Sequence, residues 1–309
     1  MISIIIPVYN EQKNLEELNN RLLSVCSSLN KKFEIIYVDD GSTDSSLEKI
    51  KNFSKINSNI FYIEFFRNFG QHAAVMAGFS NAKGEIVITL DADLQNPPEE
   101  IKKLLDEIDK GYDIVAGRRI HRKDSILRRF LSYYMNKIIS FMTGVKLNDY
   151  GCMMRAYRRN IIDKLLEFGE KSVYIPAFTS WLSKNTVEIP IKHDARIAGK
   201  TKYSLLKLLN QAFDLITAYT LIPIKIISLL GISLFFIGTF LFFYLMYYRF
   251  FVGTPSSLTS FIAILILLSG ITLFSLGIIS EYIVRLYKEI RKMPLYIIKE
   301  SNLNNNKKN

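Results

Sequence analysis

Ile86-Val87-Ile88-Thr89-Leu90-Asp91-Ala92-Asp93-Leu94-Gln95-Asn96-Pro97-Pro98 carries five β-branched or apolar residues straight into two carboxylates and a double proline. That pattern predicts a short buried strand ending in a polar turn. The same arrangement repeats on either side. Ile2–Val8 precedes a helical pattern over Leu15–Leu29, Phe33–Val38 precedes Leu47–Phe53, and Ile60–Phe65 precedes Gln71–Ala82; Glu99–Ile108 and Tyr112–Ala116 continue the series. Repeated strand–helix units predict an α/β domain on a doubly wound, mainly parallel sheet. Ligands in such sheets bind beyond the carboxyl ends of the strands. Pro7-Val8-Tyr9-Asn10-Glu11, Asp39-Asp40-Gly41-Ser42 and Asp91-Ala92-Asp93-Leu94-Gln95 each close a strand, so three polar clusters are expected on one edge.

Further along, the composition changes. Ile226–Tyr248 and Leu258–Ser280 are uncharged apolar runs of 23 residues each, against roughly 20 needed to cross a bilayer. The segment Arg249–Ser257 between them, with Gly253 and Pro255, reads as a tight turn. Lys202, Lys207 and Lys225 precede the pair and Arg285, Lys288, Arg291 and Lys292 follow it, which predicts that both flanks face the cytosol. The expected organisation is a cytosolic domain over 1–222, a transmembrane hairpin over 223–282 and a basic cytosolic tail over 283–309. Met1-Ile2-Ser3-Ile4 reads as a first strand, not a cleaved leader. A net charge of +11 suits nucleic acid or an anionic membrane surface, and the hairpin favours the membrane. Cys26 and Cys152 lack metal-ligand spacing and are expected to be reduced thiols.

Asp91 and Asp93 can hold a hard divalent cation, Mg2+ or Mn2+, with phosphate oxygens completing its shell and Gln95 adding or orienting an oxygen. A solvated turn is the plain alternative; the position on the ligand edge favours the metal. Thr43 and Asp44 can cap a helix. Alternatively, Asp40 accepts from a nucleobase N–H, Asp39 positions ribose or metal, and Gly41 allows close approach. This region has neither Gly-x-Gly-x-x-Gly nor a Gly-Lys-Ser/Thr loop, so phosphates fall to metal and arginines. Arg118, Arg119, Arg122, Lys123, Arg128 and Arg129 lead into an amphipathic stretch, expected as an interface helix over about 124–143, and a second is expected over 203–222. Between them Arg196–Tyr203 is a basic loop that can close over a phosphate, and Asn148–Arg155 sets Asp149 and Arg155 around Gly151. His72 and His193 read as structural, and Trp181 and its aromatic neighbours as core. Gly231, Gly238, Gly270 and Gly277 can form a close packing face, within the hairpin or between copies of the chain.

Together, Pro7-Val8-Tyr9-Asn10-Glu11, Val38-Asp39-Asp40-Gly41-Ser42-Thr43-Asp44 and Asp91-Ala92-Asp93-Leu94-Gln95-Asn96-Pro97-Pro98-Glu99 resemble family 2 glycosyltransferases that load polyprenyl phosphates. Arg67–Gly78, Asp149–Arg159 and the two-helix tail look most like the branch that transfers 4-deoxy-4-formamido-L-arabinose to undecaprenyl phosphate. The resemblance implies a GT-A-like fold and a bacterial inner-membrane enzyme with its catalytic domain and both termini in the cytosol. It implies that Pro7, Tyr9, Glu11 and Asp40 surround the uridine of a UDP-sugar, and that Asp91, Asp93 and Gln95 serve the metal and diphosphate. Arg118, Arg128, Arg196 and Lys202 would meet acceptor or donor phosphates, with Asp149 near the reacting centre as base or orienter. Where relatives read Gly-x-Ser-Lys, this chain has Gly199-Lys200-Thr201-Lys202, which keeps the hydroxyl.

The expected reaction is direct inverting transfer from UDP-sugar to undecaprenyl phosphate in the bilayer, with no nucleic acid partner; homo-oligomerisation through the membrane helices fits the glycine repeat. Transfer of glucose or another hexose is the nearest alternative. An aspartyl phosphatase using Asp91 as nucleophile would need no UDP-sugar, and a non-enzymatic membrane scaffold would bind no UDP.

Overall fold

The computed structural model describes residues 1–120, 133, 136–137, 139–140, 144–168, 174–194, 222–253, 257–290 and 294–303. They form two compact units, one of Met1–Lys202 with Pro294–Asn309, the other of Tyr203–Met293.

The first unit is built in the order β1 (Ile2–Val8), α1 (Leu15–Ser28), β2 (Phe33–Asp39), α2 (Ser46–Ile56), β3 (Ile60–Phe65), α3 (Gln71–Asn81), β4 (Ile86–Thr89), a 3-10 turn Pro98–Glu100 leading into α4 (Ile101–Asp109), β5 (Ile114–Arg119), β6 (Arg155–Arg158), α5 (Arg159–Glu167), α6 (Ile175–Leu182), β7 (Thr186–Ile191) and β8 (Ile298–Ser301). One eight-stranded sheet results, ordered β7-β5-β6-β4-β1-β2-β3-β8. Strands β1 to β5 and β7 share a direction; β6 and β8 oppose it. The expected strand–helix series is present.

Strand β1 is apolar at nearly every position because helices cover both faces of a parallel sheet. Ile4 and Ile6 join Leu15, Leu18, Leu22 and Leu104 in one core, and all are fully buried. Ile5 faces α3, where a Cβ at Gly78 would overlap its side chain, so that glycine sets how closely the helix lies on the sheet. Trp181, expected in the core, is 55% exposed. It packs with Phe168 and Phe178 at the surface, and of the three only Phe178 is buried.

A proline in a central strand normally removes a ladder bond. Here the Ile5 carbonyl accepts from Leu90 on the β4 side and the Val8 carbonyl from Asp40 on the β2 side, which turns Pro7 toward β4. Pairing of β1 with β4 ends at Ile5 and Thr89, so Pro7 forfeits nothing and stands where the two strands part. Chain order also reverses between β1 and β4, and crevices at such switch points are where doubly wound sheets bind ligands.

Strand β8 lies inside the segment 283–309 that was expected as a basic tail. It pairs antiparallel with β3, matching Ile63 to Ser301 and Glu64 to Glu300. Charge sets its register: buried Glu64 accepts from Lys51 (3.1 Å) and Lys299 (2.5 Å), while Glu300 accepts from Lys51 (2.6 Å) and the Tyr62 hydroxyl (2.6 Å). Just before it, Tyr296 stacks on Phe65 with centroids 5.2 Å apart.

The second unit is a pair of helices, α7 (Ile222–Phe251) and α8 (Ser257–Ile290). Within them Leu229–Phe251 and Leu258–Ser280 are each apolar and long enough to cross a membrane. A Cβ at Gly231 would stand 2.6 Å from Phe274 N, one at Gly238 2.7 Å from Leu267 Cα, and one at Gly270 2.5 Å from Phe235 N. These three glycines therefore bring α7 and α8 together within one chain, by backbone approach of the small-residue kind. Tyr244, Tyr247, Phe250 and Phe251 are exposed near the end of α7, as in an interfacial aromatic belt.

Glu64→Gln is expected to lower the local opening free energy of β8 by about 1–3 kcal/mol, because two lysines lose a charged acceptor. Hydrogen exchange should quicken at Ser301 and Asn302 while β1 and β2 stay protected. Unchanged exchange there would show that the ion cluster does not hold the strand.

Candidate active site

The loops that follow β1 and β2 are laced together. Asn10, at φ 55° in the left-handed region, donates its backbone N–H to Ser42 Oγ (3.0 Å), and its Oδ1 accepts from Thr43 N (2.8 Å). Gln12 Oε1 accepts from Ser45 N (3.1 Å) and Oγ (2.6 Å); Glu11 N donates to Ser46 Oγ (2.9 Å). Asp44 accepts from Gln12 N (3.2 Å) and from Ser46 N (2.9 Å) at the start of α2. Tyr9 is 36% exposed at the mouth of these loops.

Asp39 ends β2 almost fully buried. Its Oδ2 accepts from Ser42 N (3.0 Å), while its buried Oδ1 has no hydrogen-bond partner among the described residues. Burial raises its pKa above the usual carboxylate range. Asp40, expected to face a nucleobase, has both oxygens committed to the next loop: Oδ1 accepts from Phe69 N (2.7 Å), Oδ2 from Gly70 N (2.9 Å) and Asn68 Nδ2 (2.9 Å). Gly41, at φ 70°, lies under that loop; a Cβ there would be 2.6 Å from the Arg67 carbonyl carbon. Position 41 thus needs glycine for conformation and for space.

The loop delivers Gln71 at the first turn of α3, where its Nε2 donates to Asp91 Oδ1 (2.5 Å). Asp93 Oδ1 accepts from Gln95 N (3.2 Å) across Leu94, a buried leucine at φ 60°, a strained setting for a branched side chain. Gln95 contributes its carbonyl to Asp194 N (2.8 Å). Among the described residues no three His, Cys, Asp or Glu side chains gather to cage a metal. Two partly exposed carboxylates two residues apart fit instead a Mg2+- or Mn2+-type ion that takes its remaining ligands from phosphate and water.

Across the edge, Asp149 is buried and bound by Arg119 at the end of β5, with Arg119 Nε to Oδ2 (2.7 Å), Nη2 to Oδ1 (2.8 Å) and its N–H to Oδ2 (3.2 Å). Burial alone would lower the pKa of the guanidinium; the Asp149 carboxylate more than offsets it, and the charge of Asp91 adds to the effect. Gly151 leaves room for this fork, since a Cβ there would stand 3.2 Å from Arg119 Nη2. Glu188 holds the turn from outside, accepting from the N–H groups of Asn148 and Asp149 (both 2.8 Å). Arg119 is the group that sequence reasoning passed over in favour of Arg118, which is exposed; alternation along a strand puts adjacent arginines on opposite faces, and no local residue marks which one turns inward. Arg128, Arg196, Lys202, the Gly199–Lys202 loop and most of both interface segments lie outside the described residues. His72 is neutral at ordinary pH, its pKa lowered to about 4 by burial, with its ring edge-on to Tyr174. Burial pushes the thiols of Cys26 and Cys152 up to about 12, which leaves both inert.

Residues 3–166 match the model of the family described as glycosyl transferase family 2. Undecaprenyl-phosphate 4-deoxy-4-formamido-L-arabinose transferases from Salmonella choleraesuis and Salmonella newport are each 43% identical over 304 residues, covering 97% of this chain and 93% of theirs. Glucosyl-3-phosphoglycerate synthase from Mycobacterium tuberculosis, in complex with phosphoglyceric acid, superposes with a TM-score of 0.52 over 71% of this chain and 80% of its own at 15% identity. With Mn2+, uridine diphosphate and glucosyl-3-phosphoglycerate bound, the same synthase scores 0.50 over the same shares, also at 15% identity. At that identity the likeness is one of fold.

Burial pushes the Asp40 carboxyl from its ordinary 3.8 up to about 6, against the pull of the Phe69 and Gly70 amides. A raised carboxyl binds its proton more tightly in the folded state, so its stabilising contribution is present below pH 3.8 and is lost as pH rises through about 6. Asp40→Asn should therefore flatten the stability profile across that window, leaving the smaller slope from Asp39. An unchanged slope in thermal unfolding between pH 4 and 7 would refute the assignment.

Proposed function

The chain belongs to glycosyl transferase family 2, and on that premise we propose that it transfers 4-deoxy-4-formamido-L-arabinose from its UDP derivative to undecaprenyl phosphate at the inner face of the bacterial cytoplasmic membrane. The observation that carries this reading is the convergence of Asp39, Asp91 and the Asp149–Arg119 pair on the carboxyl edge of a sheet whose chain continues into two apolar spans. The sugar rests on 43% identity over nearly the whole chain to transferases of that name.

The buried Asp39 Oδ1 is suited to accept from a ribose hydroxyl, which would satisfy an oxygen that no group among the described residues meets. Pro7, Tyr9 and Glu11 border the same crevice from β1. With its carboxylate spent on the loop 68–70, Asp40 shapes the uridine pocket by holding that loop and presenting Gln71 to Asp91. Asp91 and Asp93 would hold Mg2+ or Mn2+, which stabilises the charge developing on the departing diphosphate. The mycobacterial synthase of the same fold carries Mn2+ and UDP together.

In the transfer, an acceptor phosphate oxygen attacks the anomeric carbon, the new C–O bond forms on the face opposite the leaving group, and the bond to UDP breaks with inversion. A phosphate monoester loses its second proton near pH 6, so at neutral pH it attacks without a strong base. This suits the state of Asp149, whose two oxygens are both engaged by Arg119. Asp149 orients the guanidinium, and the guanidinium faces phosphate charge. Arg118, Arg128, Arg196 and Lys202 remain the proposed acceptor contacts.

A chain that leaves the first unit after residue 202 and rejoins it at 294 supports an even number of crossings, with both flanks of the hairpin on the cytosolic side. Three glycines are used inside the hairpin, so a homo-oligomer would assemble through its other faces.

Detergent-extracted protein incubated with undecaprenyl phosphate, Mn2+ and a panel of UDP-sugars should give one glycosylated lipid by mass spectrometry, with the formamido-arabinose donor preferred over UDP-glucose and UDP-N-acetylglucosamine. Preference for a hexose would shift the sugar assignment; no product and no UDP-dependent thermal stabilisation would shift the reading to a membrane scaffold. Asp93→Asn should lower kcat by about 100-fold or more, the scale of a lost preorganised electrostatic group, while far-UV circular dichroism stays unchanged. Near-normal turnover in that variant would sink the metal assignment.

A further inference from the structure

Arg155 opens β6, pairing with Thr89 of β4 on one side and Ala116 of β5 on the other. It therefore sits between the strands that deliver Asp91 and Arg119. Its side chain is fully buried, the largest such side chain among the described residues. Among the described residues its hydrogen bonds go to carbonyl oxygens alone: Nε to Cys152 (2.9 Å), Nη2 to Tyr150 (3.3 Å) and to Asp149 (3.4 Å). Nη1 is buried without a hydrogen-bond partner among the described residues.

This is a costly arrangement for packing. A buried cation with an unmet donor is penalised several-fold more than an apolar side chain of similar volume, which often replaces a buried ion without loss. What the guanidinium does gain is geometry. Its planar fork spans the backbone of Asp149, Tyr150 and Cys152, a reach that a single ammonium lacks. The rest of the turn is tied to the same strands: Thr89 Oγ1 donates to the Met153 carbonyl and Gly117 N to the Met154 carbonyl (3.0 Å). From the far side the Tyr174 hydroxyl donates to the Tyr150 carbonyl (2.8 Å).

We propose that Arg155 is a positioning residue for the transfer reaction: by gripping three carbonyls of the Asp149–Cys152 turn it sets the Asp149 carboxylate, and through it the Arg119 guanidinium, in register with Asp91. It touches neither substrate. The inference rests on the functional reading above and adds a residue to it.

The test compares Arg155→Lys and Arg155→Gln in the full-length, detergent-extracted enzyme, each in the unaltered and in the Asp149→Asn background. Arg155→Lys keeps the charge and loses the fork. Its kcat should fall about tenfold or more with the KM for UDP-sugar within about twofold, the signature of misplaced rather than missing binding groups. UDP affinity by calorimetry should be unchanged. In the Asp149→Asn background the same change should cost less than about twofold, because residues acting through one another are not additive. Independent, multiplicative losses in the two backgrounds would overturn the proposal, as would wild-type kcat in Arg155→Lys. Loss of the folded, UDP-binding state in both variants would make Arg155 a determinant of the fold and overturn it too. If the unaltered enzyme forms no lipid product, the functional reading fails first and the inference with it.

Discussion

A carboxylate taken out of water has to be met by a fixed donor, and the carboxyl edge of this sheet is organised around that requirement. Asp40 is met by the amides of Phe69 and Gly70, Asp149 by the fork of Arg119, and Asp39 by Ser42 on one oxygen only. The donors to Asp40 and Asp149 come from other parts of the chain, the loop after β3 and the end of β5, so satisfying these two acids fixes those segments relative to one another. Asp40 draws the segment after β3 over Gly41, which brings Gln71 to Asp91. Asp149 ties the segment before β6 to the end of β5. Charge that would be unfavourable if left bare thus becomes the means by which four strand ends hold one crevice.

Oxygen atoms with a structural donor are also the ones least free for chemistry. Asp40 reads from sequence as a nucleobase contact and Asp149 as a base or orienter, and every oxygen of both carboxylates already accepts at least one hydrogen bond from the protein. In the proposed transfer a ribose hydroxyl falls to Asp39 Oδ1, the metal to Asp91 and Asp93, and phosphate charge to the guanidinium that Asp149 holds. Electrostatic stabilisation of a departing diphosphate needs little more, provided the groups are held in place before the substrate arrives.

The strands from β1 to β5 are legible in the sequence because each is a dense apolar run, followed by a polar cluster and a helical period. The hairpin is legible for the same reason, apolar length. Strand β6 is only Arg155-Ala156-Tyr157-Arg158, with charges at both ends, and β8 is Ile298-Lys299-Glu300-Ser301. Neither carries a hydrophobic signal, since β6 gains its place from neighbours on both sides and β8 from ion pairs along an edge. That Asp39, Asp40, Asp91 and Asp93 stand at strand ends was legible from the apolar runs before them; which of two adjacent arginines turns inward was not, because that depends on the phase of β5 against partners far away in the chain. Trp181 shows the converse, a large aromatic whose size suggested burial and whose helix leaves it at the surface.

Strand β8 also has a place in time. It covers the edge of β3 through contacts that join residues about 240 positions apart, such as Tyr62 N–H to Asn302 Oδ1. Both apolar helices lie between those partners, so a ribosome makes them before it makes the strand. During synthesis the domain therefore exposes an unpaired sheet edge, the kind of surface that invites pairing with another chain. Closure of that edge comes after the hairpin has been made, from the segment that follows it in the chain. Completion of the sheet thereby records that the whole membrane segment has been produced, and a chain interrupted within the hairpin would carry its crevice with the β3 edge still open.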